Sequence, residues 1–95
     1  MRRLSKIPML RIAELAEARR AERRNQLKRD LEMAVRHLAK GREHIAKQTA
    51  MVAKLERDGH DSETAKELLA LLHKTQHMHE DHREHILREL QAQAA

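Results

Sequence analysis

The chain contains no phenylalanine, tyrosine or tryptophan. Aromatic rings carry the largest buried areas in ordinary cores, so a core here must be built from Leu, Ile, Val, Met and Ala. Cysteine is also missing, which excludes disulfides, thiolate nucleophiles and thiolate metal ligands together. Glycine occurs twice and proline once in 95 residues, so sharp turns are few and helices can run long. No apolar run approaches the roughly 18 residues that a membrane span requires. The first residues lack the continuous apolar stretch of a secretory signal. From these absences we expect a cytoplasmic protein without membrane association. Enzyme chemistry is short of material as well. The serines are Ser5 and Ser62, there is no glycine-rich phosphate loop, and a small helical module offers little concave space from which water is excluded. We expect neither catalysis nor a cofactor.

What is present is Ala, Glu, Lys, Leu and Arg, the composition of long helices and coiled coils. The net charge is +5, and it is unevenly spread. Residues 1–30 hold ten Lys/Arg and four acids, whereas residues 31–95 hold ten and eleven. The basic character therefore belongs to an N-terminal arm, residues 1–26. Such an arm can attract nucleic acid or another acidic partner. Arg19, Arg20, Arg23 and Arg24 are its densest cluster and are the candidate nucleic-acid contacts. With no aromatic ring to stack on bases, any such binding would be electrostatic and sensitive to salt.

Pro8 suits the first turn of a helix, where a missing N–H is no loss. The stretch that follows has only a thin apolar stripe, Ile12, Leu15 and Ala16, and is polar nearly all round. We expect the arm to be partly helical or frayed. From Leu27 the pattern strengthens. Leu31, Val35, Leu38, Ile45 and Val52 fall on steps of three and four if Arg42 and Thr49 fill the gaps, and Ala34, Gly41, Gln48 and Leu55 widen the same face. This predicts a helix over about 27–58, roughly 32 residues or ~48 Å long. Gly59 is placed to end it, and Asp61 or Ser62 to cap the next. The second helix, about 61–92, carries Ala65, Leu68, Leu69, Leu72, His79, Ile86 and Leu90 on one face, followed by a short tail that frays.

A connection of two or three residues forces the helices to fold back as antiparallel neighbours. The fold predicted is all-α: a long, coiled-coil-like helical hairpin over residues 27–92. A turn near residue 60 sets Gly41 opposite His79. Buried between the helices we expect Leu38, Ile45, Val52, Leu55, Leu69, Leu72 and Ile86. Two helices cannot cover stripes this wide, and the common solution is pairing of two hairpins into a four-helix bundle. A homodimer is therefore expected.

The segments Val35-Arg36-His37-Leu38-Ala39-Lys40-Gly41-Arg42-Glu43-His44-Ile45-Ala46-Lys47-Gln48 and Leu55-Glu56-Arg57-Asp58-Gly59-His60-Asp61, with Ala65–Leu69, His82-Arg83 and Ile86-Leu87, resemble a group of short, uncharacterised helical-hairpin proteins common in alphaproteobacteria. The resemblance spans residues 31–90 and omits the arm. It implies a bacterial, soluble helical hairpin and brings no activity with it.

Eight histidines are present, five of them within residues 73–85. Imidazoles four apart with a carboxylate on the same row can bind zinc, nickel or copper. His73, His77 and Asp81 form such a row and are the candidate metal ligands. The zincin pattern His-Glu-x-x-His is missing; the chain has His79-Glu80-Asp81-His82 instead. His79-Glu80 also matches the His-acid step of a phospho-accepting histidine on a helical hairpin, but that site lies on a first helix with a proline shortly after it. Three functional readings follow: a non-enzymatic self-association or protein-interaction module, a small nucleic-acid-associated protein acting through its arm, and a His-rich metal-binding bundle. The first accounts for most of the chain.

Overall fold

The computed structural model describes the backbone of residues 2–94 and the side chains of residues 11–94. Two helices make up the fold, α1 (Arg2–Arg57) and α2 (Glu63–Ala94). They pack side by side and antiparallel in a body 87 × 20 × 14 Å. The all-α hairpin expected from the periodicity is the architecture observed.

Its boundaries differ from the sequence reading. α1 begins at Arg2, so Pro8 lies within the helix span and outside its first turn. No break separates the arm from the hairpin at residue 27. The absence of any glycine or further proline between Pro8 and Gly41 leaves nothing to interrupt the backbone ladder. The second helix likewise continues to Ala94, past the expected end at residue 92.

The turn follows from two residues. Gly59 has φ 72°, a left-handed conformation with little penalty for a residue without Cβ. Its N–H donates to the Glu56 carbonyl at 3.2 Å and the His60 N–H donates to the Leu55 carbonyl at 2.8 Å. These two bonds close a Schellman end on α1. The Asp61 carboxylate then accepts the Glu63 N–H at 3.0 Å, capping α2 as an N-cap residue should. Ser62, the other expected cap, is buried, and its hydroxyl donates to Glu56 at 3.3 Å. Gly59→Ala is expected to lower stability by roughly 1–2 kcal/mol, because a Cβ at positive φ meets the following carbonyl. Urea unfolding of the two proteins measures this, and an unchanged midpoint would show that the turn relaxes freely.

The seam between the helices runs in alternating steps of four and three. On α1 it is Leu27, Leu31, Ala34, Leu38, Gly41, Ile45, Gln48, Val52 and Leu55; on α2 it is Ala65, Leu69, Leu72, Gln76, His79, Arg83, Ile86, Leu90 and Gln93. Each of these is buried or half-buried. Leu27, Ala34 and Ile86 form the tightest cluster, with Leu31 and Leu90 against it. Of the expected core, Leu38, Val52 and Ile86 are buried. Ile45, Leu55, Leu69 and Leu72 are only half-buried, because a single partner helix covers part of each. Val35, Arg42 and Thr49 stand outside the seam, and Val35 and Leu68 are exposed. The positions first read as widening the stripe, Ala34, Gly41 and Gln48, are its true seam partners.

Register is fixed by polar groups as well as by packing. Gln76 donates to the Leu38 carbonyl at 2.9 Å and Gln48 donates to the Ala65 carbonyl at 3.0 Å. Gly41 faces Gln76, not His79 as the sequence suggested, a displacement of one helical turn. The Schellman end consumes residues 58–60 and Ser62 enters the seam opposite Leu55, so α2 meets α1 earlier than a turn centred on residue 60 would allow.

Candidate functional site

α1 is much longer than α2. The bridge between Arg23 and Glu89, at 2.6 Å, lies close to the level where α2 ends, and α1 continues beyond it as a single helix. The sequence changes character there. Carried past Leu27, the seam positions of α1 become Arg24, Arg20 and Glu17, all exposed. Charged seam positions match a segment with no helix to pack against.

Of the four arginines singled out from sequence, Arg19 and Arg20 lie on this projecting part and Arg23 and Arg24 at its base beside the end of α2, and all are exposed. Arg19 and Arg23 share one row with Gln26, around a shallow concavity that also touches Asn25 and Arg29. Arg20 and Arg24 lie on a second row beside Glu17 and Ala21. Arg23 is committed to Glu89, and Arg29 donates to Gln26 at 2.8 Å. The structure therefore divides the cluster between two sides of the helix and ties part of it to neighbouring side chains.

Glu89 has two partners, Arg23 and the His85 imidazole at 2.8 Å. The hydrogen bond from Arg23 holds the Glu89 carboxyl below its ordinary value of 4.5, against the opposing effect of partial desolvation. The hydrogen bond from Lys66 lowers the Glu56 carboxyl in the same way, and Glu56 raises Lys66 in return. A carboxylate with a depressed folded pKa stabilises the fold above its unfolded value, and that contribution is lost as pH falls through the folded pKa. Thermal midpoints measured from pH 6 down to strongly acidic conditions should therefore fall below about pH 4.5. They should fall less steeply in Arg23→Ala, where the slope left over belongs to Glu56 and to what His85 still holds on Glu89. Equal slopes would show that the Arg23–Glu89 bridge is fully screened.

His73, His77 and Asp81 are exposed on α2, His73 on the flank marked by Lys66 and Asp81 on the outer side. His77 Nδ1 lies 3.4 Å from Glu80. Among the described residues no group of three or more His, Asp or Glu side chains gathers to hold a metal ion. The row proposed from spacing is present, but it stands alone on one helix with no ligand facing it from the other.

The two flanks of the hairpin differ. One is marked by Arg23–Glu89. Steps of seven from Arg23 reach Asp30, His37, His44 and Met51, and steps of seven back from Glu89 reach His82, Thr75 and Leu68. Beside these rows lie Met33, Leu71 and Met78. The other flank is marked by the 3.0 Å bridge between Lys66 and Glu56, and carries Thr49, Arg42 and Val35 on α1 with His73, Glu80 and half-buried Leu87 on α2. Of the exposed large hydrophobics within the paired part of the hairpin, Met33, Met51, Leu68, Leu71 and Met78 belong to the first flank and Val35 to the second. Near the middle of the first flank a notch of about 200 Å³ opens over Gly41, lined by His37, His44, Thr75, Gln76 and His79 among others. The rings of His37 and His79 lie 5.2 Å apart.

This apolar flank was not read from the sequence. Its signal was available as Met33, Leu71 and Met78 one position off the seam, but which residues beside the seam stay exposed depends on how the two helices pair. Gln76 was also missed. It occupies a seam position in the sequence, yet a lone glutamine among leucines carries no mark of burial.

No family model, curated protein or solved structure matches the chain. Among the described residues no helix is long and apolar enough to cross a membrane.

Proposed function

We propose that this protein is a non-enzymatic, self-associating interaction module. One observation carries the reading. The hairpin buries only Leu27, Ala34, Leu38, Val52 and Ile86 among its hydrophobic side chains, while eight large ones, from Ile12 to Met78, remain exposed among the described residues. Large apolar side chains left exposed and gathered toward one face mark an interaction site, and pairing of hairpins into a four-helix bundle is the usual way to cover them. Sedimentation equilibrium over a wide concentration range tests this. The expected result is a dimer that dissociates on dilution. A chain that stays monomeric at the highest concentrations overturns the reading.

A second reading is favoured by the projecting end of α1, whose seam positions turn to arginine where α2 ends. A helix extending from a bundle with Arg19, Arg20 and Arg24 exposed is suited to nucleic-acid backbone, as basic helices extending from dimers are. Retention on duplex DNA that falls steeply between low and physiological salt, and is lost in the Arg19→Ala/Arg20→Ala/Arg24→Ala chain, supports it. Equal retention by the variant removes it.

A further inference from the structure

We propose that the second copy docks on the flank carrying Met33, Met51, Leu68, Leu71 and Met78, with the twofold axis crossing the helices at the level of Gly41, so that Met33 of one copy meets the partner's Met51. This rests on the self-association reading and adds the face and the orientation.

Three observations carry it. The first is segregation. Five exposed large hydrophobics share the Arg23–Glu89 flank, interspersed with Lys40, Lys47 and histidines, whereas the opposite flank exposes one, Val35, and half-buries Leu87. A stable interface needs about 800 Å² on each partner. The paired part of the hairpin, from Arg23 to Arg57, is about 50 Å long at 1.5 Å per residue, and the body is 20 Å wide. That flank is large enough for one complete interface.

The second observation is symmetry. Met33 and Met51 stand equally far along α1 on either side of Arg42. On α2, Leu71 and Met78 stand equally far on either side of the Lys74–Thr75 step. The seam register, with Gly41 against Gln76, brings these two midpoints to the same level of the hairpin. A twofold axis lying in the interface and perpendicular to the helices at that level sets Met33 against the partner's Met51, and Leu71 against the partner's Met78. An axis parallel to the helices would instead set Met78 against Lys40 and Met33 near the histidines of α2. Isologous dimers require self-complementary patches, and the perpendicular axis sets apolar side chains against apolar side chains at these two meeting points.

The third is shape. Without a Cβ at Gly41 the floor of the notch drops, and the walls are small or flat side chains, Thr75, His37 and His79. Two copies can approach most closely at that point, where the axis passes. Lys40, the cation at the rim, lies 3.5 Å from Glu43 on the outer face of α1.

The absence of cysteine makes the test direct, because each introduced thiol is unique. Thr75 lies beside the axis, so Thr75→Cys is expected to form a disulfide-linked dimer under mild oxidation. A mixture of Met33→Cys and Met51→Cys chains should cross-link at least tenfold faster than either chain alone. Leu71→Asp/Met78→Asp, both exposed in the single hairpin, should raise the dimer dissociation constant at least tenfold with helicity retained, and Val35→Asp should leave it unchanged. Wild-type dimer with cross-linking at Val35→Cys and none at Thr75→Cys overturns this face while leaving self-association standing. Wild type that remains monomeric removes both.

Discussion

Ile86→Ala is expected to lower stability by about 2–5 kcal/mol, the range for large-to-small changes at buried aliphatic sites. Ile86 is 2 % exposed and packs against Leu27, Ala34, Leu31 and Leu90. The site has little means of collapse. Ala34 is already the smallest side chain that can contact it, and no aromatic ring is available anywhere in the chain to swing into the space. The removed methylenes therefore leave a cavity between two straight helices whose spacing is set by the neighbouring layers. Leu38→Ala should behave similarly, being equally buried. Val35→Ala, on the charged flank at 49 % exposure, should change stability by less than about 0.5 kcal/mol, as surface substitutions do. Denaturant unfolding at one fixed chain concentration is the measurement, since association makes the apparent stability depend on concentration. A loss below half a kcal/mol at both Ile86 and Leu38 would show that these positions do not form the core.

Gly41→Leu is expected to destabilise the hairpin by about 1–3 kcal/mol, the usual penalty for overpacking. That is the reverse of what helix propensity alone dictates, since replacing a mid-helix glycine gains about 1 kcal/mol. A Cβ at Gly41 would run into the Gln76 amide. That amide is buried, donates to the Leu38 carbonyl, and its Oε1 meets no donor of the protein. Displacing it breaks the cross-helix bond to the Leu38 carbonyl and leaves that amide to find a new place in the seam. In a Gln76→Ala background the obstacle is gone, so Gly41→Leu should then gain about 1 kcal/mol relative to Gln76→Ala alone, from propensity and filled space. The reversal of sign in a double-mutant cycle identifies steric pairing of the two positions. Additive effects would show that Gly41 and Gln76 do not share a layer.

The same layer shows where sequence reading stopped. The steps of three and four from Leu27 to Leu90 settled the helices and their antiparallel pairing, because burial on one side of a 3.6-residue helix imposes that spacing on any sequence that adopts it. Gly59 and Asp61 marked the turn, since a positive φ and an N-cap each have few compatible residues. The absence of aromatics, cysteine and long apolar runs settled what the core is made of. These are local requirements, and each is written in the residues that meet it.

Only the tertiary structure decided the rest. Register depends on how many residues the turn consumes, and Ser62 joining the seam shifted the partner of Gly41 from His79 to Gln76. The side that each helix turns to its partner decided that Val35 and Leu68 are exposed, that Ala34 is buried and that Gln48 is half-buried. The pairing also leaves Met33, Met51, Leu71 and Met78 outside the seam, on one flank. The arginines of the arm were legible as a cluster, but their division between two sides of α1, and the capture of Arg23 by Glu89, required α2 to be in place. Side chains far apart in sequence meet only through the pairing of the helices. The spacing within each helix cannot specify that pairing more finely than one heptad turn.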